Sequence, residues 1–127
     1  MMNAIIVFIG GGLGALIRYL LSLILPKIWY FPASTLVANF FGCFVATVVF
    51  VYFIDKLDSN SSYKIFWIIG FCGGLSTLSA LSLEVLEFLE MGEFIKAFIY
   101  MTTTVFVCTV SVLLGLLLVK HSLSIKL

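Results

Sequence analysis

Residues 70–84 of the chain read GFCGGLSTLSALSLE, and they lie in the middle of its third hydrophobic stretch. Two adjacent glycines and a cluster of hydroxyl side chains stand where a membrane helix is normally continuous and apolar. Each unpaired backbone group costs several kcal/mol in lipid, so a broken helix persists only against protein, water or an ion. Interrupted membrane helices often form ion sites, because their free carbonyls and helix ends coordinate charge. The stretch therefore predicts a third helix that is broken near mid-membrane and functional at the break.

The composition is that of a membrane protein. Of 127 residues, 63% are hydrophobic and 10% are charged, whereas a soluble domain carries about 25% charged residues. Four stretches are long enough to cross the hydrocarbon core, which needs roughly 20 helical residues. They are predicted near residues 4–25, 33–54, 65–89 and 94–119, with short connections between them. The fold class is thus an all-α membrane protein in which residues 1–127 form a single transmembrane domain.

Two polar side chains lie inside the first two predicted helices, where such groups are expensive and usually functional. Arg18 is either a cation that reaches the membrane surface along its flexible stem or an internal cation that anchors the fold or attracts anions. Asn39 is either an interhelical hydrogen-bonding residue, worth only about 1 kcal/mol, or one of several donors along a polar path. Because Arg18 interrupts an apolar run longer than a signal-peptide core, the first stretch is expected to be a mature helix.

The third and fourth helices carry the other candidate donors. Ser79 and Ser82 are three residues apart and share a helical face, as do Thr104 and Cys108 at a spacing of four. Hydroxyls also bond to the preceding turn of their own helix, so only some of them are expected to face a polar path. Glu84 follows the break by two turns and is the acidic residue expected to be functional. The later acids of this helix are expected to be solvated at the interface.

Enzyme chemistry is not indicated. The cysteines are distributed over three predicted helices without a CxxC spacing, at positions Cys43, Cys72 and Cys108. Buried thiols of this kind behave as small hydrophobes. The single histidine is His121, and no catalytic Ser/His/Asp or Cys/His set and no His/Cys metal cluster is recognisable. The sequence therefore predicts a transport or structural membrane protein that is not an enzyme.

Taken together, these positions resemble the Fluc (CrcB) family of small bacterial fluoride channels over nearly the whole chain. The first helix matches the family's G-x-x-G-A-x-x-R-[YW] at Gly11, Gly14, Ala15, Arg18 and Tyr19. With Ser34 in place of the first glycine, the second helix matches G-T-L-x-x-N-x-x-G at Thr35, Leu36, Asn39 and Gly42. The third matches G-F-x-G-G-x-T-T-F-S-T-F-S-x-E in part. The order and spacing of the motifs make the resemblance specific.

The resemblance implies a dual-topology antiparallel dimer in a bacterial plasma membrane, with two pores through which fluoride leaves the cytoplasm passively. It implies a structural sodium ion (Na+) at the dimer interface, held by the backbone carbonyls of Gly73 and Ser76. It places the pore residues on helices two to four, at Asn39, Leu78, Ser79, Leu81, Ser82, Glu84, Tyr100 and Thr104. Arg18 corresponds to a vestibule or structural residue.

The chain departs from the family at positions that the family uses around the anion. Leu78 and Leu81 replace two phenylalanines whose positive ring edges face the anion, and leucine has no such edge. Cys108 and Val112 stand at a serine and a threonine position. The chain is expected to form its antiparallel dimer with itself or with a homologous subunit. We expect the homologous partner, which would leave one normal pore and one weakened or dead pore.

Two alternatives remain open at the level of sequence. A proton-coupled multidrug exporter is also a small four-helix dimer, but it needs a carboxylate deep in the first helix, where this chain has Arg18 and no acid. A non-conducting accessory subunit would account for the missing phenylalanines. It would not account for Asn39, Ser79 and Glu84, which lie in register with channel motifs.

Overall fold

A computed structural model of the chain describes residues 1–25, 27–28, 31–53 and 61–124. Four helical segments are long and apolar enough to cross a membrane: Met2–Ile24, Ala33–Phe53, Ser62–Glu90 and Phe94–Ser122. The prediction of a helical membrane protein with four spans is therefore confirmed, although two short strands were not predicted. Ile54, the predicted last residue of the second span, and most of the predicted connection 55–64 lie outside the described residues.

The elements follow one another with short connections. In chain order they are α1 (Met2–Ile24), β1 (Lys27–Ile28), β2 (Phe31–Pro32), α2 (Ala33–Phe53), α3 (Ser62–Lys64), a π-helical segment (Ile65–Cys72), α4 (Gly73–Leu75), α5 (Leu78–Glu90) and α6 (Phe94–Ser124). The two short strands pair antiparallel, with Lys27 opposite Pro32. Gly92 turns the chain between α5 and α6 at a φ of 75°, a backbone conformation that glycine adopts without a steric penalty.

The third span changes its backbone conformation partway along. It begins as α3 and continues through the π-helical segment into α4. Ser76 and Thr77 then have extended backbones, with ψ angles of 148° and 120°, before α5 starts at Leu78. Thr77 caps α5, since its Oγ1 accepts a 3.2 Å hydrogen bond from the N–H of Ala80, the usual role of a threonine at this position. That these residues lie near mid-membrane remains a prediction.

The first and third spans cross at unusually close range because both carry glycine at the contact. Gly10 and Gly14 are buried on α1. A Cβ atom on Gly14 would overlap the carbonyl oxygen of Phe71, and one on Gly74 would overlap the carbonyl oxygen of Gly11. Such small residues let membrane helices approach at backbone distance. The glycines of the first helix are therefore packing positions, and they bring α1 against the end of α4.

The second and fourth spans pack along their length and enclose the remaining core. Ser111 of α6 is fully buried and donates a 2.6 Å hydrogen bond to the carbonyl of Phe40 on α2. At the other end of the contact, Gly115 lies against Thr47. A separate buried cluster joins α5 to α6 near the short strands and contains Leu81, Phe88, Ala97 and Tyr100. These contacts position the polar side chains of α2, α5 and α6 relative to one another.

Candidate functional site

The interruption of the third span diverts the hydrogen-bond donors that a continuous helix would use. In such a helix the N–H of Thr77 would bond to the carbonyl of Gly73. Instead it donates to Oδ1 of Asn39 at 2.6 Å. In the same way, the N–H of Ala80 bonds to the Thr77 hydroxyl and not to the carbonyl of Ser76. The two carbonyls predicted to hold an ion are thus the ones whose helical donors are engaged elsewhere.

Asn39 of α2 holds the interruption through both ends of its amide. Besides accepting the N–H of Thr77, it donates through Nδ2 to the carbonyl of Thr77 at 3.3 Å. The side chain is 6% exposed, so these bonds lie in a poorly solvated environment. Nδ2 carries a second hydrogen, for which no acceptor is found in the part of the chain that the structure describes. The amide therefore has one donor left for a ligand.

Arg18 reaches the end of α4 from the crossing helix α1. Its Nε lies 3.4 Å from the carbonyl oxygen of Gly74 and donates to it. In a continuous helix this carbonyl would accept the N–H of Leu78, but Leu78 begins α5 after the extended residues. The guanidinium takes the place of that donor at the C-terminus of a helical segment, where a positive charge is favourable. Arg18 is half-buried and bonds to another span. This geometry favours the interpretation of Arg18 as a cation that anchors the fold.

Glu84 joins three spans through its carboxylate. Thr35 of α2 donates to Oε1 at 2.6 Å, and Tyr100 of α6 donates through its hydroxyl to Oε2 at 2.6 Å. Thr35 and Tyr100 are only 5% and 2% exposed. Hydrogen bonds to an ionised group are shorter and stronger than neutral ones. The cluster therefore links α2, α5 and α6 one to two turns beyond the interruption.

A groove of about 400 Å³ runs beside the interruption between the third span and α6. Its lining includes four residues predicted for the pore, namely Asn39, Leu78, Leu81 and Thr104. Cys108 and Val112 continue the lining along α6. The structure thus assembles the asparagine, both leucines and one hydroxyl at one surface, which is open along its side.

The lining does not include Ser79, Ser82, Glu84 or Tyr100, the other residues predicted for the pore. Ser79 shares a hydroxyl contact of 3.1 Å with Thr77. Ser82 is exposed and donates to the carbonyl of Leu78 in its own helix at 2.9 Å, and Thr104 does the same to Tyr100 at 2.9 Å. Glu84 and Tyr100 form the separate cluster described above. The hydroxyl hydrogens of Ser82 and Thr104 are therefore engaged locally.

The two leucines that replace phenylalanine occupy opposite environments. Leu78 is 75% exposed at the first position of α5, whereas Leu81 is 5% exposed in the cluster with Phe88 and Tyr100. Of the two leucines, only Leu78 therefore has a side chain that is accessible from outside the protein. Leu81 contributes to the groove as part of its packed wall.

Thr35 and Thr77 bond to predicted site residues but were not themselves among the residues predicted for the pore. Thr35 was recognised only as part of a motif, because nothing local signals a partner 49 residues away. Thr77 carries a usable signal, since a threonine directly before a helical stretch is a preferred N-cap. Its backbone contacts with Asn39 have no equivalent signal in the sequence.

Metal ligation by side chains finds no support in the described ranges 1–25, 27–28, 31–53 and 61–124. No group of three or more His, Cys, Asp or Glu side chains is placed there to hold a metal ion. The oxygen atoms at the interruption belong to the backbone and to neutral side chains such as Asn39, Ser76 and Thr77, and neutral oxygen donors suit hard cations.

Four helices that are long and apolar enough to span a membrane define a multi-pass membrane protein. The sequence model of one family, described as CrcB-like protein, Camphor Resistance (CrcB), matches residues 5–116, which is most of the chain. The chain therefore belongs to the CrcB family.

Relatives with similar sequences match part of the chain. The protein named Fluoride-specific ion channel FluC from Hydrogenobaculum sp. (strain Y04AAS1) is 42% identical over 52 residues, covering 40% of this chain and 43% of that protein. The one from Shewanella pealeana is also 42% identical over 52 residues, covering 39% and 42%. Fluoride-specific ion channel FluC 1 from Staphylococcus aureus (strain NCTC 8325 / PS 47) is 52% identical over 44 residues, covering 35% and 36%. The matches span less than half the length of these relatives.

Proposed function

We propose that the chain is a subunit of a fluoride-selective channel through which fluoride leaves the cytoplasm down its gradient. The observation that carries the proposal is the groove in which Asn39 and Thr104 lie beside an interrupted membrane helix. Membership of the CrcB family and the names of the partial relatives support the choice of fluoride as the ion.

Selectivity for fluoride requires replacement of a tightly held water shell by hydrogen-bond donors. The second amide hydrogen of Asn39 is a fixed donor, because the other polar atoms of that side chain are already bonded to Thr77. The hydroxyls of Ser82 and Thr104 bond to their own helices, and rotation about the Cβ–Oγ bond can turn such a hydroxyl hydrogen towards another acceptor. An anion that moves along the groove would accept hydrogen bonds from these hydroxyls one after another. Ser79, on the same helix as Ser82, would be a further donor.

The Glu84 cluster has a positioning role in this proposal. Both carboxylate oxygens accept hydroxyl hydrogens, so part of the negative charge is compensated before an anion approaches. The Tyr100 hydroxyl donates to Glu84 in this state and becomes available to an anion only when that bond is released. Glu84 and Tyr100 would therefore form the end of the path from which fluoride passes to or from water.

A second, inverted copy would complete the path. Ser79, Ser82 and Thr109 are exposed on segments that cross the membrane, and polar groups facing lipid are unfavourable. Of these residues, Thr109 lies in the lining of the groove. A partner covering these residues would enclose the groove, and two inverted copies would create two equivalent paths. This arrangement agrees with the expectation of a dual-topology antiparallel dimer.

The backbone at the interruption fits a structural sodium ion. Gly73 is exposed and Ser76 is half-buried, and the helical donors of both carbonyls are engaged by Asn39 and Thr77. Oxygen atoms without a hydrogen-bond donor are suitable ligands for a hard monovalent cation. Two such pairs from two copies would supply four oxygens. Sodium would hold the copies together, while fluoride is the transported ion.

The leucines favour a channel made of two non-identical subunits. Leu78 is exposed, but its side chain has no positive edge that could contact an anion. Along the groove, Cys108 offers only a weak hydrogen-bond donor and Val112 offers none. A homologous partner carrying phenylalanines at the positions of Leu78 and Leu81 would restore one pore. We therefore propose that the chain alone conducts slowly and that a heterodimer conducts normally through one of its two pores.

The test is fluoride release from liposomes containing the purified chain, alone and together with a homologous subunit. Vesicles loaded with potassium fluoride receive a potassium ionophore, and an electrode records the released fluoride. We expect slow release with the chain alone and fast release with the mixture, without comparable chloride release. Absence of fluoride release in both preparations contradicts the channel proposal, and release that depends on a proton gradient supports an exporter instead.

A matched pair of variants separates a channel subunit from an accessory subunit. Asn39→Ala removes the fixed donor, whereas Ser22→Ala removes only a local bond to the carbonyl of Tyr19. In the mixed channel, Asn39→Ala should reduce fluoride release by at least tenfold, about 1.4 kcal/mol in the barrier, and Ser22→Ala should leave it unchanged. Equal rates for both variants would indicate an accessory role for this chain.

A further inference from the structure

A cation of the first span, Arg18, lies close to the proposed ion site. Arg18 donates to the carbonyl of Gly74 at 3.4 Å, and Gly74 follows Gly73, whose carbonyl is a proposed ligand. Consecutive Cα atoms are about 3.8 Å apart, so the guanidinium and an ion on Gly73 would be separated by no more than about 10 Å. The charge of Arg18 therefore acts on any ion held there.

The backbone of α1 packs closely against the third span just before Arg18. Gly14 lies one helical turn before Arg18 and contacts the backbone of Phe71 and Leu75 directly. The close crossing keeps the backbone at Arg18 near α4. The Arg18 guanidinium replaces the donor that Gly74 loses at the interruption, so withdrawal of Arg18 would leave that carbonyl unpaired.

No side-chain carboxylate compensates this charge within the described part of the site. The structure describes no Asp or Glu in contact with Arg18, and Glu84 is engaged with Thr35 and Tyr100 two turns beyond the interruption. A site built from neutral carbonyls beside a fixed positive charge repels cations in proportion to their charge. A divalent ion would experience twice the repulsion of a monovalent one.

We propose that Arg18 determines the charge selectivity of the backbone ion site, so that it accepts sodium and rejects divalent cations of similar size such as calcium. This proposal rests on the proposed sodium site. It assigns Arg18 a role beyond holding the fold, as a positioning residue for Gly74 and a selectivity determinant for the carbonyls of Gly73 and Ser76. At this separation and an effective dielectric constant of about 20, loss of the charge should change the calcium-to-sodium preference by roughly tenfold or more.

The experiment measures cation-dependent thermal stabilisation of the purified protein in detergent, without reference to fluoride flux. Sodium chloride and calcium chloride are titrated against choline chloride at constant ionic strength, and the concentration giving half-maximal stabilisation is recorded for each ion. Wild type should be stabilised by sodium and not by calcium at the same concentration. Arg18→Lys, which keeps the charge, should retain this preference, and Arg18→Gln should shift it roughly tenfold towards calcium.

The control is Lys120→Gln, which removes an equal charge from an exposed position near the end of α6 and should leave the preference unchanged. The proposal is overturned if Arg18→Gln keeps the wild-type preference while still responding to sodium. It is also overturned if wild type binds calcium as well as sodium, a result that does not depend on any variant folding. No response of wild type to sodium would instead refute the underlying sodium site, whatever the fluoride measurements show.

Discussion

The main-chain N–H of Thr77 donates a 2.6 Å hydrogen bond to Oδ1 of Asn39, and the Thr77 carbonyl accepts a 3.3 Å bond from Nδ2 of the same side chain. One amide on α2 thus satisfies both backbone groups of a residue that has left the helix. An unpaired backbone group is costly in the membrane, so this pair makes the interrupted third span tolerable. Asn39 also lies in the lining of the groove.

Replacement of Asn39 should therefore affect stability as well as flux. Asn39→Ala leaves the N–H and the carbonyl of Thr77 without partners, and each unsatisfied buried group costs about 1–3 kcal/mol. We expect a loss of roughly 2–4 kcal/mol in the free energy of unfolding in detergent. Ser22→Ala on α1 serves as the control and should change it by less than about 0.5 kcal/mol. Equal stabilities of the two variants would show that the pair does not hold the interruption.

The Glu84 cluster predicts coupled losses at its two donors. Tyr100→Phe and Thr35→Val each remove one hydroxyl from the carboxylate, and a hydrogen bond to a charged group is worth about 1.5–3 kcal/mol. The double variant should differ from the sum of the single ones, because both donors serve one carboxylate. Chemical unfolding of the four proteins measures this, with Tyr63→Phe at an exposed position as the control. Strict additivity would argue against a shared function of the two bonds.

The crossing of α1 with the third span gives a sharp contrast between neighbouring glycines. Gly14→Ala would drive a methyl group into the carbonyl of Phe71, whereas a Cβ on Gly12 meets no described atom within 4 Å. Overpacking typically costs 1–3 kcal/mol, and here the obstacle is backbone, so we expect about 3 kcal/mol or more. Gly12→Ala should match wild type in thermal unfolding and in yield after purification. Comparable stability of both variants would contradict the close crossing.

The two leucines should respond differently to replacement by phenylalanine. Leu78 is exposed, so Leu78→Phe adds an aromatic edge at little cost, while Leu81→Phe must enlarge a packed cluster at about 1–3 kcal/mol. We expect Leu78→Phe to raise fluoride release by the chain alone without a loss of stability. We expect Leu81→Phe to lower the melting temperature and to raise flux further only together with Leu78→Phe. Unchanged flux in the double variant would show that the rings are dispensable here.

Much of the architecture follows from local composition. A hydrocarbon core requires about 20 consecutive apolar residues in a helix, so four such stretches define four spans whatever their mutual packing. The short strands before α2 and the π-helical start of the third span carried no comparable signal, because two-residue strands and hydrogen-bond registers depend on neighbouring segments. Most polar residues of the candidate site could also be recognised from the sequence, because polar side chains are rare and costly within a membrane span.

What the sequence by itself determined is therefore the set of membrane-spanning helices and the polar positions within them. Only the tertiary structure decided which partner each polar group takes, as shown by Arg18 with Gly74, 56 residues away, and Thr35 with Glu84, 49 residues away. It also decided that Leu78 is exposed and Leu81 buried, although both face the same groove. Hydropathy is a property of single residues, whereas hydrogen bonds and burial depend on distances between helices that are set by packing.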